Sequence, residues 1–254
     1  MDVINKIISK VKREKIIKTD TDDKKTLTLT DGPDGVSVKF NGITYSRRNE
    51  KTIFTGSYWD YFTPLPLIYN RPKILMIGLG GGTIVYQINR LYGKTASMDV
   101  IEIDKKMVEF AESFIPDDIK KINIFLEDGV EYLRKNRRKY ELIFLDAYEG
   151  DKIPDGFLEN DTIGYINSSL SEDGILAVNY AMNFKAIVFL QNYINKLKKY
   201  FRVYLVNNPM GSGNTIILCS KKLDKKEILE RTNKMKKEED NTHVINGYKN
   251  MSNG

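Results

Sequence analysis

Four segments of the chain place glycine or carboxylate side chains at the point where an apolar run ends. They are the runs KILMIGLGGGT (73–83), DVIEID (99–104), EDGV (127–130) and ELIFLDAYEGD (141–151). In open α/β sheets, ligands bind beyond the carboxyl ends of the strands, so these segments predict one shared crevice. The pattern is typical of a nucleoside-binding Rossmann-like domain, with Asp146 as a further acid beyond the nucleoside.

The first segment contains a glycine-rich loop of the form G-x-G-x-G at Gly78, Gly80 and Gly82. The third glycine of a dinucleotide fingerprint would fall on Thr83, which disfavours NAD, and the loop lacks the G-x-x-x-x-G-K-[ST] pattern of a P-loop. Glycines without Cβ atoms would let the backbone approach a ligand closely. The alternative is a tight strand-to-helix turn that binds nothing.

Carboxylates after the next two strands favour a ligand. Glu102 ends the second strand, where it could accept hydrogen bonds from both hydroxyls of a ribose, and Ile103 beside it is a further cofactor-binding candidate. Asp104 could do the same or could cap the following helix. After the third strand, Asp128 could accept a hydrogen bond from an adenine amino group, and Gly129 would leave room for the ring.

Composition bounds the class of protein. The chain has 254 residues, of which 41% are hydrophobic and 29% charged, and its longest apolar runs are far shorter than the ~20 residues of a membrane span. The N-terminus mixes charges into an amphipathic pattern without the apolar core of a signal peptide, which predicts a cytoplasmic protein. The single cysteine, Cys219, cannot form an intrachain disulfide or a cysteine-based metal site, and no metal is expected.

The formal net charge of +6 includes one basic cluster within residues 134–139. Such a cluster can dock the phosphates of a nucleic acid. Because no aromatic residues alternate with these cations to stack on bases, a solvated helix end is favoured and nucleic acid is unlikely as a partner.

The order of the predicted elements indicates three regions. Residues 1–57 combine a helix over 3–17 with a small antiparallel β module over 25–55, whose strands are separated by DGPDG and NG. Residues 58–221 begin with an aromatic linker and then alternate strands with helices, which implies a parallel sheet closed by an antiparallel hairpin. Residues 222–254 predict a charged helix to about residue 239 and then a frayed tail.

The predicted fold class is therefore α/β. It is a Rossmann-like fold of the class I S-adenosylmethionine-dependent transferases, with a mostly parallel seven-stranded sheet, an antiparallel last strand and a small N-terminal β module.

The runs ILMIGLGGGT, VIEID, EDGVEYL and LDAYEGDKIP, preceded by YWDYFTPLPL, carry a family resemblance. Over residues 41–221 the chain resembles the spermidine synthase (polyamine aminopropyltransferase) family, particularly its divergent spermidine synthase-like branch. The resemblance implies a cleft between the β module and the Rossmann-like domain. It also implies transfer of an aminopropyl group from decarboxylated S-adenosylmethionine to putrescine, in a homodimer or homotetramer.

The resemblance also assigns roles to residues. Asp146 matches the family's proton-accepting aspartate, and Glu149 and Asp151 would add negative charge that favours a diamine. Tyr58 matches a tyrosine that lies along the acceptor, and Asp60 matches the acid two residues later that holds its far end. The alternative is that the three acids after the fourth strand merely cap a loop.

Departures from the family pattern leave the substrates open. Gly81 stands where the family has an aspartate that holds the donor's amine, and Tyr45 stands where it has an acceptor-side glutamine. Trp59 replaces a His or Gln, and Asn208 and Pro209 replace a late tyrosine. Three hypotheses follow: an aminopropyltransferase, a methyltransferase that uses intact S-adenosylmethionine, and a non-catalytic nucleoside-binding protein.

Overall fold

A computed structural model describes residues 14–22, 25–49, 51–116, 122–150, 152–182, 186–207, 213–237 and 239–254. The strands are β1 Lys15–Thr21, β2 Thr26–Gly32, β3 Gly35–Phe40, β4 Ile43–Arg48, β5 Lys73–Ile77, β6 Ser97–Glu102, β7 Ile122–Leu126, β8 Tyr140–Leu145, β9 Leu170–Ala181, β10 Arg202–Asn207, β11 Asn214–Ser220 and β12 Ser252–Asn253. The α-helices are α1 Thr83–Tyr92, α2 Lys105–Phe114, α3 Gly129–Lys135, α4 Asn160–Ser169, α5 Ala186–Leu197, α6 Lys225–Thr232 and α7 Thr242–Lys249. None of the helices in these ranges is long and apolar enough to span a bilayer.

The N-terminal module is an antiparallel sheet in the order β1-β2-β3-β4. Asn41 and Gly42 join β3 to β4 with φ values of 48° and 80°, which the tight hairpin turns that match strand twist require. Strand β1 occupies the end of the predicted N-terminal helix, so that prediction is wrong for residues 15–17, and residues 1–13 lie outside the described residues. Ile16 and Ile17 are adjacent β-branched residues, which favour a strand, and Ile16 and Lys18 on either side of a register shift pair with Thr30 and Leu29 of β2.

The main sheet has the order β12-β10-β11-β9-β8-β5-β6-β7. Its five strands from β9 to β7 are parallel, whereas β11 runs antiparallel to both β9 and β10. The predicted parallel sheet with a closing antiparallel hairpin is confirmed. The described residues add an eighth, two-residue strand, β12, which pairs with β10 and was not predicted.

Both faces of the main sheet are covered, as parallel strands require. Along β5, Ile74 and Met76 belong to one buried cluster, while Leu75 and Ile77 belong to the cluster on the opposite face. The N-terminal module packs against α1 and α2 through a third cluster, which includes Val38 of β3, Tyr86 of α1 and Phe114 of α2. This packing sets β3 and β4 beside the glycine-rich loop.

The C-terminal segment is folded, so the prediction of a frayed tail is wrong. Helix α6 ends at Thr232, short of the predicted residue 239, and a second helix, α7, follows. Val244, Tyr248 and Met251 are almost completely buried, because their spacing puts them on one face of this segment. They pack into the same cluster as Tyr61, in the aromatic linker, whose first part is a short 3-10 helix over Tyr58–Phe62.

Candidate functional site

The glycine-rich loop lies between the carboxyl ends of three parallel strands. The N–H of Gly78 donates to the carbonyl of Ile101 at the end of β6, over 2.9 Å, and the N–H of Asp146 donates to Ile77 over 2.9 Å. Gly78 has a φ of 86°, and a Cβ at this position would overlap the backbone carbonyl of Asp146. Only glycine therefore allows the end of β8 to lie this close to the loop. Gly80 and Gly82 also have positive φ values, and Gly82 is the residue immediately before α1.

Glu102 holds the glycine-rich loop from the β6 side. Its Oε2 accepts a hydrogen bond of 2.8 Å from the N–H of Leu79, and its Oε1 accepts one of 2.9 Å from the N–H of Asp104. Burial raises the pKa of this carboxyl. Ile103 beside it is 69% exposed, an apolar surface next to the carboxylate. Asp104 caps α2 by accepting from the N–H of Lys106, so the alternative of a helix cap is confirmed for Asp104.

Asp128 is exposed and is the N-cap residue of α3. Its Oδ1 accepts hydrogen bonds of 2.9 Å from the N–H groups of Val130 and Glu131. A Cβ on Gly129 would come within 2.7 Å of Ile77 and 2.9 Å of Phe157. Packing against these two side chains therefore explains the glycine at this position, and its role in leaving room for an adenine ring stays a prediction.

Asp146 follows β8 and is held on two sides. Asn179, near the end of β9, donates from Nδ2 to Oδ1 over 2.7 Å, and the hydroxyl of Tyr58 donates to Oδ2 over 3.4 Å. Burial raises the pKa of Asp146 to about 7, and the two hydrogen bonds oppose that rise because they favour the charged carboxylate. A carboxyl with this pKa can take up a proton near neutral pH.

Two further side chains fix the partners of Asp146. Asn214 of β11 donates from Nδ2 to Asn179 Oδ1 over 2.8 Å, which orients the Asn179 amide toward the carboxylate. The hydroxyl of Tyr148 donates to the carbonyl of Asn179 over 2.9 Å and accepts from the N–H of Ala181 over 2.8 Å. The polar groups beside Asp146 thus come from three strand ends and from the aromatic linker.

The three other acids predicted for the site, Glu149, Asp151 and Asp60, differ in their surroundings. Glu149 is exposed on the loop after β8, where its N–H donates to the carbonyl of Lys152 over 2.9 Å. Asp151 lies outside the described residues. Asp60 is completely buried and surrounded by hydrogen-bond donors of the protein, so it does not line the crevice. This corrects its assignment to the far end of an acceptor.

Strand β4 lies across the glycine-rich loop. Ser46 Oγ accepts a hydrogen bond of 2.7 Å from the N–H of Gly81, and the N–H of Arg47 donates to Thr83 Oγ1 over 2.7 Å. Tyr45 sits where the register between β3 and β4 shifts, a bulge that redirects a side chain. Its hydroxyl reaches the carbonyl of Gly150 at 3.4 Å, so Tyr45 connects the module to the loop that carries Glu149.

The basic cluster lies between the end of α3 and the start of β8. It is therefore at the amino ends of the parallel strands, opposite to the end that carries the glycine-rich loop. Arg134 pairs with Glu131 at 2.5 Å, and Arg138 pairs with Asp99 at 2.8 Å. These ion pairs fit the interpretation of the cluster as a solvated helix end.

The open sheet, the glycine-rich loop after β5 and the carboxylates after β6, β7 and β8 together define the class I S-adenosylmethionine-dependent transferase fold. A family model described as the spermine/spermidine synthase domain matches residues 61–231, more than half of the chain. The chain belongs to the spermine/spermidine synthase family.

Curated relatives and solved structures agree with this family. The chain is 29% identical over 187 residues to a polyamine aminopropyltransferase of Alkaliphilus oremlandii, an alignment that covers 68% of this chain and 65% of the relative. It is 28% identical over 165 residues to that of Clostridium beijerinckii, covering 60% of this chain and 57% of the relative. The chain thus matches less than two thirds of these relatives' lengths.

Solved structures show the same fold. Spermidine synthase from Thermotoga maritima aligns with a TM-score of 0.67 and 23% identity, covering 88% of this chain and 79% of that one. Human methyltransferase-like protein 13, solved in complex with SAH, aligns with a TM-score of 0.58 and 20% identity, covering 74% of this chain and 90% of that one.

Sequence reasoning missed several residues of the site. Asn179 ends the apolar run GILAVN, so the rule that placed Asp146 at a strand end could also have found it. The contact of Ser46 with Gly81 and the partners of Asp60 join residues far apart in the sequence, and no local pattern indicates them.

Proposed function

We propose that this protein transfers an aminopropyl group from decarboxylated S-adenosylmethionine to a small polyamine such as putrescine. The nitrogen of the acceptor attacks the methylene carbon next to the sulfonium sulfur, and the carbon–sulfur bond breaks. The bonding electrons go to sulfur, which leaves as the neutral thioether methylthioadenosine. The attacking nitrogen loses a proton in the same reaction, and Asp146 accepts it.

The observation that carries this proposal is the environment of Asp146. An amine must have a free lone pair to attack, so the reaction needs a base close to the acceptor nitrogen. Asp146 is a carboxyl with a pKa of about 7, held by Asn179 and Tyr58 at the crevice edge. A base with a pKa near the working pH combines a large deprotonated fraction with useful basicity.

The groups on the β6 side of the loop suit the adenosyl part of the donor. In this proposal Glu102 accepts hydrogen bonds from the ribose hydroxyls, with the apolar Ile103 beside it and Asp128 at the adenine. Gly78, Gly80 and Gly82 let the backbone pass close to the donor. A spermidine synthase with the same fold, a TM-score of 0.69 and 22% identity, was solved in complex with the transition-state analogue AdoDATO, and this supports the proposal of a related donor here.

The contact between Gly81 and Ser46 supports a donor without a carboxylate. N–H groups at the start of a helix are favourable sites for anions. Here the N–H of Gly81 already donates to Ser46 Oγ over 2.7 Å, so a carboxylate would have to displace that bond. A side chain at position 81 would also come within 2.6 Å of Val38, so β3 and β4 fill the space beside the loop.

The acceptor would lie between Tyr58 and the loop after β8. The exposed carboxylate of Glu149, and that of Asp151 two residues later in the sequence, would attract a cationic diamine. In this arrangement the ring of Tyr58 lies along the acceptor while its hydroxyl holds Asp146. A homodimer or homotetramer is part of the same proposal and rests on the family alone.

A methyltransferase that uses intact S-adenosylmethionine is the second candidate. Gly81 supplies no carboxylate to repel the carboxylate of that donor, and Val38 and Ser46 beside it are uncharged. This alternative differs from the first proposal in the donor that binds more tightly.

Two measurements test the proposal. Purified protein is incubated with decarboxylated S-adenosylmethionine and a panel of diamines, and the release of methylthioadenosine is followed, with Asp146→Asn as the matched inactive control. We expect release with at least one diamine from the wild type only. No release with any acceptor would refute the aminopropyl transfer.

Calorimetry with both sulfonium donors then decides between the two candidates. We expect the decarboxylated donor to bind at least about tenfold more tightly, a difference of about 1.4 kcal/mol. Ser46→Ala should reduce that preference by freeing the N–H of Gly81. Tighter binding of intact S-adenosylmethionine by the wild type would instead favour the methyltransferase.

A further inference from the structure

Asp60 gathers hydrogen bonds from three parts of the chain. Its oxygens accept from the N–H of Thr55 at 2.9 Å, from the N–H of Gly56 at 2.7 Å and from Gln87 Nε2 of α1 at 2.5 Å. His243 Nε2 of α7 lies 2.8 Å from Oδ2. Because an ionised carboxylate can only accept, the proton of this bond belongs on Nε2. We call these contacts the Asp60 network.

The imidazole belongs to a helix that is docked on the Asp60 segment. Tyr248 of α7 donates to the carbonyl of Tyr61 over 2.7 Å, and the ring of His243 meets the ring of Tyr61 edge-on at 5.8 Å between centroids. Gly247 is so close to the Tyr61 ring that a Cβ there would overlap it. The family match ends at residue 231, so α7 lies beyond the part of the chain that this match covers.

The Asp60 network is next to Tyr58, a residue of the candidate site. Tyr58 and Asp60 belong to one five-residue 3-10 helix, and the N–H of Asp60 donates to the carbonyl of Ser57 over 3.1 Å. Tyr58 in turn donates to Asp146. Gln87, another member of the network, is on α1, which starts at the glycine-rich loop. A buried carboxylate that loses a donor is costly, so the segment that carries it will rearrange when one is removed.

We infer that His243 is a positioning residue for the reaction: through Asp60 it fixes the short helix that holds Tyr58 against Asp146. The C-terminal helix is therefore part of the catalytic scaffold. This inference rests on the proposed function for its kinetic consequence, but its structural consequence can be measured without activity.

The only tryptophan of the chain provides that measurement. Trp59 lies between Tyr58 and Asp60, is 6% exposed, and its ring packs on that of Tyr58 with 4.8 Å between centroids. Its emission reports directly on whether this segment keeps its place.

The experiment compares three variants of the full chain with the wild type. His243→Ala removes the donor, and His243→Gln replaces it with an amide N–H of similar reach. Val244→Ala is the matched control, because it opens the packing of the same helix at a fully buried side chain that does not bond Asp60. All are studied well below their own melting temperatures, by Trp59 emission, affinity for methylthioadenosine, kcat and KM.

We expect His243→Ala to shift Trp59 emission to longer wavelength and to lower kcat about 10- to 100-fold, as a displacement of about 1 Å in a catalytic group does. Affinity for methylthioadenosine should stay within about threefold, because the Glu102 side is untouched. His243→Gln should restore most of both losses, and Val244→Ala should keep wild-type emission and kcat within about threefold.

Two results would overturn the inference. One is that His243→Ala keeps the Trp59 emission and the kcat of the wild type. The other is that Val244→Ala shifts the emission and lowers kcat as much as His243→Ala does, because α7 would then act only through its packing. If the wild type releases no methylthioadenosine, the proposed function fails by itself. The Trp59 emission of the variants then still decides whether His243 fixes the segment.

Discussion

Replacing Asp146 with asparagine should change how stability depends on pH. Burial raises the pKa of Asp146 from the ordinary 3.8 to about 7, so between these values the folded protein keeps a proton that the unfolded chain loses. The favourable contribution is complete below pH 4 and is lost as the pH rises through 7. The difference between the two pKa values corresponds to a contribution of at most about 4 kcal/mol to the free energy of unfolding. Because Asp146 is partly exposed to solvent, we expect a smaller change, between about 2 and 4 kcal/mol. An asparagine at this position cannot titrate, so the variant lacks this contribution.

The assay is urea unfolding of the wild type and Asp146→Asn at a series of pH values from 4 to 8. We expect the free energy of unfolding of the variant to rise relative to that of the wild type by about 2–4 kcal/mol over this range, with the rise centred above pH 5. Glu149→Gln removes an exposed charge from the same loop and serves as the control. Parallel profiles for Asp146→Asn and the wild type would refute the assignment of a partly buried carboxyl that holds a proton in the folded state.

Three further substitutions probe other parts of the site. Glu102→Gln should weaken binding of methylthioadenosine about 10- to 100-fold in calorimetry, because a charged acceptor becomes a neutral one, and an unchanged affinity would remove Glu102 from the donor site. Tyr58→Phe should move the acidic limb of the kcat/KM profile to higher pH, since the Tyr58 hydroxyl lowers the pKa of Asp146, and an unmoved limb would contradict that bond. Gly78→Ala should destabilise the fold by about 2 kcal/mol or more in urea unfolding, because alanine meets both the positive φ and the Asp146 carbonyl, and wild-type stability would contradict the close approach.

The main sheet could be predicted from the sequence because its signals are local. The runs of β5, β6, β7 and β8 are short and apolar and end in or are followed by glycine or a carboxylate, and helices α1 and α2 follow β5 and β6 as the alternating pattern predicts. Asp104 is a cap that the sequence offered as an alternative, whereas the cap formed by Asp128 was not predicted. The relation of Gly78 to Asp146 follows from two neighbouring parallel strands ending at one edge.

The errors concern residues whose roles depend on distant partners. A polar tail with scattered apolar residues is typical of a frayed terminus. Val244 and Tyr248 are nevertheless buried, in the same cluster as Tyr61 of the aromatic linker. The family resemblance assigned Asp60, two residues after Tyr58, to the far end of the acceptor. The donors that surround Asp60 turn its carboxylate away from the crevice, and one of them, His243, is 183 residues away along the chain.

The contacts of Asp146 connect stability, fold and the proposed chemistry. Desolvation alone would raise the pKa of this carboxyl further and leave it protonated, and so useless as a base, at neutral pH. Asn179 and Tyr58 each donate to the charged form and bring the pKa back to about 7. One donor is fixed by Asn214 within the sheet, whereas the other depends on the linker segment that Asp60 and the C-terminal helix hold. The pH above which Asp146 can act as a base therefore depends on both Asn179 and Tyr58. Loss of either donor should raise the pKa of Asp146 and so raise that pH.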